Sequence, residues 1–583
     1  MSKYLSRRPR SDGPCYIAIS PSSGMDFDSD VVEAVKGYEY VSLDVYDTLL
    51  VRPYVRPKDV FRHIESKEDA EGFLQERVAS EERCMRSSEP TTLDRIYAGI
   101  PEQYRHLKEK ELEYESNAVC PKKILETYKK IVSEHKVVLI TDMYLPREFI
   151  EGLLKKNGID GYERFYLSAE TGVSKGKGNA FDYVVNDLGI EKSQIIHIGD
   201  NIKTDFLNPK KMGFNAVLTE RPVNSYFKRN RGAKRFYNKS KSLGRSIIVG
   251  MDVIHQLEDR GWPFWKDVSY RFGGPLVSDY ARFVADSTRE GDTVLLAARD
   301  GYNIEKVLKI LRPDIDTHYV YVPRSLNVLI GSNYTQHTDY KKKIVRAFYG
   351  DVPDPEVFFD SHIDEIEEKR GQLLEAFRKK MAAETGAPKR ISAVDVTTLK
   401  YSSQKLIMDV FPDSNVQGIY YFLLLDVSEI PHRAYHVRKR ILKVADNINI
   451  TEFFMTSPEP PIIGVDDTGN PKFKEPCRDE QDRLDIYGDV TEGETDYAED
   501  IVKMFGNRMI PIGFEDIHGW MEYLIMHSGP KMRSKLTEMK WAVDVDHTIY
   551  VSMIYHPRDT WFHLKKTVID LGWYAVTLVR GER

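Results

Sequence analysis

The chain has 583 residues, 41% of them hydrophobic and 30% charged, with a formal net charge of -6. That length predicts more than one domain, and the charge excludes general nucleic-acid binding by the whole chain while leaving room for a local basic patch. Four scattered cysteines (Cys15, Cys84, Cys120, Cys477) form no CxxC pair, which predicts a reducing compartment and no structural zinc.

In chain order, residues 1–36 are polar, with a PSSG cluster, and read as a loosely held lead-in. MSKYLSRRPRSDGP is basic, but no apolar run follows it and no stretch approaches eighteen uninterrupted apolar residues. The expectation is a cytoplasmic protein without signal peptide or transmembrane helix. Residues 37–220 alternate short apolar strands with helical stretches, the pattern of an α/β domain with a parallel sheet. The strand candidates EYVSLDV, KVVLITD and QIIHIGD each end near a carboxylate, where open α/β sheets place ligands. Ninety-two residues separate Thr48 from Thr141 without a comparable strand. Charged and helix-forming, about 54–135 reads as a helical cap inserted after the first strand, with TTLD (Thr91 to Asp94) as a capping box.

Residues 221–245 carry a dense run of Lys and Arg and read as a solvated linker, with polyanion or anionic-membrane contact as the alternative. A second α/β pattern occupies 246–583. GDTVLLAARDG is a strand ending in Arg299, Asp300 and Gly301; NIEKVLKIL places Ile304, Val307, Leu308 and Leu311 on one helical face. HYVYVPRS ends in Arg324 and Ser325, and ISAVDVTTLKYSSQKLI puts Asp395 at a strand tip before Ser402, Ser403 and Gln404. These groups could share one crevice suited to a phosphate or carboxylate, with Arg299, Asp300 and Arg324 as binding residues. The alternative is a buried Arg–Asp pair that fastens strands. The aromatics of GWPFWKDVSYRF read as packing for the domain's opening helix, and His197 and His318 as satisfied core histidines. DVTEGETDYAEDI reads as an acidic loop, HTIYVSMIY and WYAVTLV as strands.

A carboxylate that attacks phosphorus needs its charge repulsion masked, donors for the phosphoryl oxygens, and a cation to pin it. In order the chain offers Asp44, then Thr141 with the following Asp142, then Lys175, then Asp200 and Asp205, hard ligands suited to Mg²⁺. This ordered set resembles the haloacid dehalogenase (HAD) superfamily: a Rossmann-like core with a helical cap after the first strand, here followed by a second α/β domain. The resemblance implies Asp44 as nucleophile and metal ligand, the Tyr46 carbonyl as second metal ligand and Thr141 as phosphate-binding hydroxyl. It further implies Lys175 as the third-motif lysine, preferred over Lys177, and Asp200 with Asp205 as the acidic fourth motif. Metal contact falls chiefly to Asp200.

Tyr46 stands where the superfamily's phosphatases usually carry an aspartate acid/base. A phenol, with a reference pKa near ~10, is a poor base at neutral pH. Three readings stay open: a phosphatase using another acid (Asp47, Glu111, Glu115 or solvent), a dehalogenase-like C–X hydrolase, or a binding or assembly protein with little turnover. The phrases SLDVYDTLLVRP, ITDMYLP and HIGDN, with SYRFGGPL, VLLAARDGYNI, VYVPRSL and EFFMTSPEPPIIG, resemble a two-domain HAD subfamily encoded beside glycosyltransferases in surface-polysaccharide clusters. That resemblance covers about 40–470. It implies a sugar phosphate or nucleotide-linked sugar as substrate and a glycosyltransferase as partner. DVTTLKYSSQ departs from the subfamily's Gly- and Trp-richer turn.

Overall fold

The computed structural model describes residues 14–18, 27–337, 339–398, 400–424, 426–427, 429–437, 445–542 and 549–554. The chain divides into two compact units, Met1–Gly261 with Asn507–Ile510, and Trp262–Gly506 with Pro511–Arg583.

The first unit is built on six parallel strands: β1 (Tyr16–Ala18), β2 (Tyr40–Leu43), β3 (Lys136–Thr141), β4 (Arg164–Leu167), β5 (Ile195–Gly199) and β6 (Asn215–Leu218), in the order β1-β6-β5-β2-β3-β4. β2, β3 and β5 are buried almost throughout, because helices cover both faces of a parallel sheet and leave no wet side. The lead-in is thus partly structural: β1 extends the sheet edge and Phe27–Val35 forms a helix, while the PSSG cluster lies outside the described residues.

Between β2 and β3 the chain forms the helices Asp59–Lys67, Phe73–Arg86, Leu93–Ala98, Leu107–Glu115 and Lys122–Glu134. The last packs against Phe27–Val35 beside the sheet, so helices beyond the core are confined to the part before it. Val51 and Val119 close the base of the insertion by exchanging backbone hydrogen bonds, N–H to O distances 2.7 and 3.0 Å. Thr92, one residue later than expected, caps Leu93–Ala98 by accepting from the Arg95 N–H at 3.3 Å. Inside the insertion, Arg77 clamps Glu111 through Nε (2.7 Å) and Nη2 (2.6 Å), and Tyr97 donates to the same carboxylate at 2.8 Å.

The expected linker is instead the helices Pro222–Arg229 and Arg231–Ser240, followed by Leu243–Glu258, all within the first unit. Val223, Tyr226, Phe227, Ala233, Phe236 and Tyr237 recur at helical spacing and are buried, so the run of cations occupies the outer faces of amphipathic helices.

The second unit carries another parallel sheet, β7 (Thr293–Ala297), β8 (Thr317–Val320), β9 (Arg390–Thr398), β10 (Asn415–Leu423) and β11 (His432–Val437), ordered β11-β10-β9-β7-β8. The opening aromatics pack it as expected: Trp265 meets Phe453 at 5.6 Å between ring centroids and Phe272 stacks on Trp520 at 5.1 Å. DVTEGETDYAEDI is not a loop. It lies within the helix Arg478–Phe505, whose Val490, Tyr497, Ala498 and Ile501 form a buried stripe that the many acidic residues disguise. Gly493 is required there, since a Cβ would run into the backbone of Lys266 and Tyr270. Of the two late strands, Tyr550–Ser552 falls in HTIYVSMIY, and WYAVTLV lies outside the described residues. Among the described residues no helix is long and apolar enough to cross a membrane, and all four cysteines are free thiols.

Candidate active site

β5, β2 and β3 are neighbours, so the residues that follow their C-terminal ends converge on one place. Asp44 follows β2 and its N–H continues the ladder by donating to the Ile198 carbonyl at 2.9 Å. Thr141 is the last residue of β3 and is buried; Asp200 follows β5. Asp44, Asp200 and Asp205 each present a carboxylate oxygen, all within 4.8 Å of one another.

Lys175 enters this cluster and is itself buried. Its Nζ lies 2.6 Å from Asp44 Oδ1 and 2.7 Å from Asp205 Oδ1, whereas Lys177 is exposed. The loop that delivers it is held by Asp142, whose two carboxylate oxygens accept the backbone N–H groups of Lys175 (2.9 Å) and Gly176 (2.8 Å). Asn208 donates to the Lys175 carbonyl at 2.8 Å. Both side-chain oxygens of Asp142 are committed to this loop; its backbone N–H, the group expected beside the Thr141 hydroxyl to bind phosphate, takes no part in that pairing.

Asp205 is equally committed. Oδ1 takes Lys175 and, at 3.3 Å, His197 Nε2; Oδ2 accepts from the Asn201 N–H at 2.9 Å. With Nε2 as donor, neutral His197 accepts at Nδ1 from the Ser42 hydroxyl, 2.9 Å away, so it is the satisfied core histidine the sequence suggested. The short Gly199 makes the arrangement feasible, because a Cβ there would lie 2.5 Å from Asp205 Cγ. The carboxylates left with uncommitted oxygens are Asp44 and Asp200, flanked by Thr48, which donates to Asp200 at 3.4 Å.

The electrostatics follow from burial. Burial raises Asp44 well above the usual carboxylate range, opposed by Lys175 and reinforced by Asp205 and Asp200. Asp200 is pushed up to about 7 by burial and by the charges of Asp47 and Asp205. For Asp205 burial works upward, but Lys175 and His197 outweigh it and hold the group below the ordinary range. Lys175 is held above the ordinary lysine range: burial opposes its charge, and Asp205 and Asp44 overcome it. Three crowded carboxylates with one ammonium leave an excess of negative charge on hard oxygen donors, the chemistry that Mg²⁺ fits.

Tyr46 does not join the cluster through its side chain. Its hydroxyl is buried and makes no hydrogen bond among the described residues, and Arg52 lies 4.1 Å over its ring. Burial, then Glu115, drives the phenol well above its usual range, so it is neither acid nor base at neutral pH. Glu115 is locked on Arg52 (2.8 and 3.2 Å) and Glu111 on Arg77, so neither reaches out as a proton donor. Asp47 remains: it sits in a left-handed turn (φ 62°), close enough to Asp200 to perturb it, with Arg221 Nε 3.1 Å away. Arg221 was missed by sequence reasoning. Its signal was its place just beyond β6, in a segment read as linker.

In the second unit Arg299 pairs with Glu480 at 2.7 Å, and Arg483 binds the same carboxylate at 2.7 Å. The fastening pair is therefore Arg–Glu rather than Arg–Asp. Asp300 precedes the helix Gly301–Leu311, in which Ile304, Val307 and Leu308 are buried as expected. Asp395 sits within β9 instead of at its tip and accepts from Ser403 at 2.8 Å, while Gln404 binds the Pro431 carbonyl and the Tyr420 hydroxyl, both at 2.8 Å. Ser402 offers its carbonyl to Asn327 at 2.9 Å. Arg324 begins a helix, and its side chain lies outside the described residues. His318 pairs with Asp316 at 3.1 Å.

No family model matches the chain, and no curated protein matches it. Its structural neighbours include HAD-family hydrolases. A HAD family enzyme from Bacteroides thetaiotaomicron, in complex with magnesium and inorganic phosphate, is 18% identical over 32% of this chain and 96% of its own, with a TM-score of 0.24. A HAD phosphatase from Thermococcus onnurineus is 17% identical over 31% and 86%, TM-score 0.25. A dehalogenase with an intermediate complex is 15% identical over 32% and 85%, TM-score 0.26.

Proposed function

We propose that the first unit is an Mg²⁺-dependent phosphohydrolase of the HAD type, acting through an aspartyl-phosphate on Asp44. The observation that carries this reading is the buried Lys175 ammonium held between Asp44 and Asp205 beside Asp200. Lys175 fixes Asp44 Oδ1, which leaves Oδ2 to attack phosphorus in line with the leaving oxygen. The new bond is Asp44 O–P; the bond broken is P–O to the leaving group. The Thr141 hydroxyl would donate to a phosphoryl oxygen. Water then attacks phosphorus, the Asp44 O–P bond breaks, and orthophosphate leaves.

Asp44 and Asp200 would hold the metal, with the Tyr46 carbonyl as the further ligand that the HAD resemblance implies. Bound there, Mg²⁺ supplies charge neutralisation between the carboxylates and the phosphoryl oxygens. Asp205 sets Lys175, and the proton for a leaving oxygen would come from Asp47: it has an Arg221 contact at 3.1 Å, but it is partly exposed and close enough to Asp200 to perturb it, whereas Glu111 and Glu115 are buried against their arginines. A sugar phosphate or nucleotide-linked sugar is the substrate class we infer from the sequence resemblance, and a glycosyltransferase the partner.

The test is release of orthophosphate from a generic aryl phosphate and a sugar-phosphate panel, with and without Mg²⁺. Turnover that needs the ion and is lost in Asp44→Asn supports the reading. Turnover that survives Asp44→Asn overturns it, and no turnover on any phosphate favours a binding or assembly role.

A further inference from the structure

The helices Pro222–Arg229 and Arg231–Ser240 line an open groove of about 790 Å³ on the first unit, walled by Phe227 and by Lys228, Arg231, Lys234, Arg235, Asn238 and Lys239. Residues 221–241 hold eight Lys or Arg and no Asp or Glu, in a chain whose net charge is -6. The pattern has a local cause. Gly232, Ala233, Phe236 and Tyr237 take the buried face of the second helix, so Arg231, Lys234, Arg235 and Lys239, at spacings of three, four and eight, all fall on the exposed one. Lys228 is paired with Glu220 at 2.6 Å. Among the described residues, no carboxylate pairs with Arg231, Lys234 or Arg235. Like charges three and four apart repel on a helix, and Arg231, Lys234 and Arg235 stand together with no carboxylate partner among the described residues.

We propose that this groove is a binding site for a small soluble oligophosphate, a ligand with two or three linked phosphates. Its volume matches a small-molecule site. Guanidinium and ammonium groups on successive turns present separate donors to successive phosphates, and the Asn238 amide adds a neutral donor. Two other polyanion classes fit less well. None of the exposed large apolar side chains lies in 221–241, so nothing there inserts into a bilayer; Tyr226, Phe236 and Tyr237 are buried, and of the segment's aromatics Phe227 alone lines the groove, too little to stack successive nucleobases. The site is separate from the carboxylate cluster and stands or falls without it.

The probe is tripolyphosphate, titrated calorimetrically into the full chain in EDTA, so that metal-dependent phosphate binding at Asp44 and Asp200 does not contribute. Saturable binding that orthophosphate competes for only weakly is expected. The exposed triple variant Arg231→Glu/Lys234→Glu/Arg235→Glu should lose at least about 100-fold in affinity, from three charge-assisted contacts. A triple reversal at exposed Lys155, Lys203 and Lys211 controls for net charge and should bind like the parent. Equal binding by parent and groove variant overturns the proposal. So does an equal loss in the control, or groove-dependent binding to phosphatidylglycerol vesicles without binding of tripolyphosphate.

Discussion

Replacing Lys175 by Met removes the one cation between Asp44 and Asp205. The geometry sets the size of the effect: Nζ makes contacts of 2.6 and 2.7 Å, and all three groups are buried. Losing one partner of a buried ion pair strands the other, at a cost of about 3–5 kcal/mol. Adding Asp205→Asn removes one stranded charge, so the double variant should recover part of that loss, a coupling on the order of 1–3 kcal/mol. The assay must report on the right unit. All six tryptophans lie at Trp262 or beyond, in the second unit, so their fluorescence does not read this site. Hydrogen exchange of the β3 peptide through a urea titration does. A Lys175→Met variant within about 1 kcal/mol of wild type, or a double variant no better than the single, would refute the buried bridge.

The Asp47→Asn variant should slow hydrolysis of alkyl phosphates by about 100-fold while barely changing that of p-nitrophenyl phosphate, whose leaving group needs no proton; steady-state kinetics on both substrates decides. His63, in the helix Asp59–Lys67, has its pKa lowered to about 4, chiefly by burial. Its Nε2 contacts the Arg508 carbonyl and Nδ1 the Tyr54 hydroxyl, both at 2.8 Å. Because the folded value lies below the unfolded one of about 6.5, stability is full above pH 6.5 and falls by about 3 kcal/mol as pH drops toward 4. Hydrogen exchange across that window should be steeper for wild type than for His63→Gln. Gly250→Ala should cost about 1–3 kcal/mol, since a Cβ there would meet Pro53 O and Tyr54 N at 2.5 Å. Gly152→Ala, with nothing within 4 Å, should stabilise its helix by about 0.5–1 kcal/mol; thermal melts compare the two.

Much of the sheet was legible because buried parallel strands read as short apolar runs, and β2, β3 and β5 each ended close to where a carboxylate stood. Of the two neighbouring lysines, Lys175 is buried and Lys177 exposed. What sequence could not show was how bonds are shared. Asp142 and Asp205 look like free carboxylates in a string of letters, yet their oxygens are consumed by Lys175, Gly176, Asn201 and His197. Glu111 and Glu115 lost their candidacy to arginines 34 and 63 residues away. Composition misled twice: charge density at 221–245 and at 489–501 masked the apolar stripe of a helix. In the second unit the strand order was not readable, and Glu480, the partner of Arg299, lies 181 residues on.

The central claim is that Asp44 bonds to phosphorus. Acid-quenching the enzyme during turnover of p-nitrophenyl phosphate with Mg²⁺, then reducing with borohydride, should convert Asp44 to homoserine in the peptide that contains it. Active enzyme whose Asp44 stays unreduced under those conditions, or homoserine found at another carboxylate, would contradict the account.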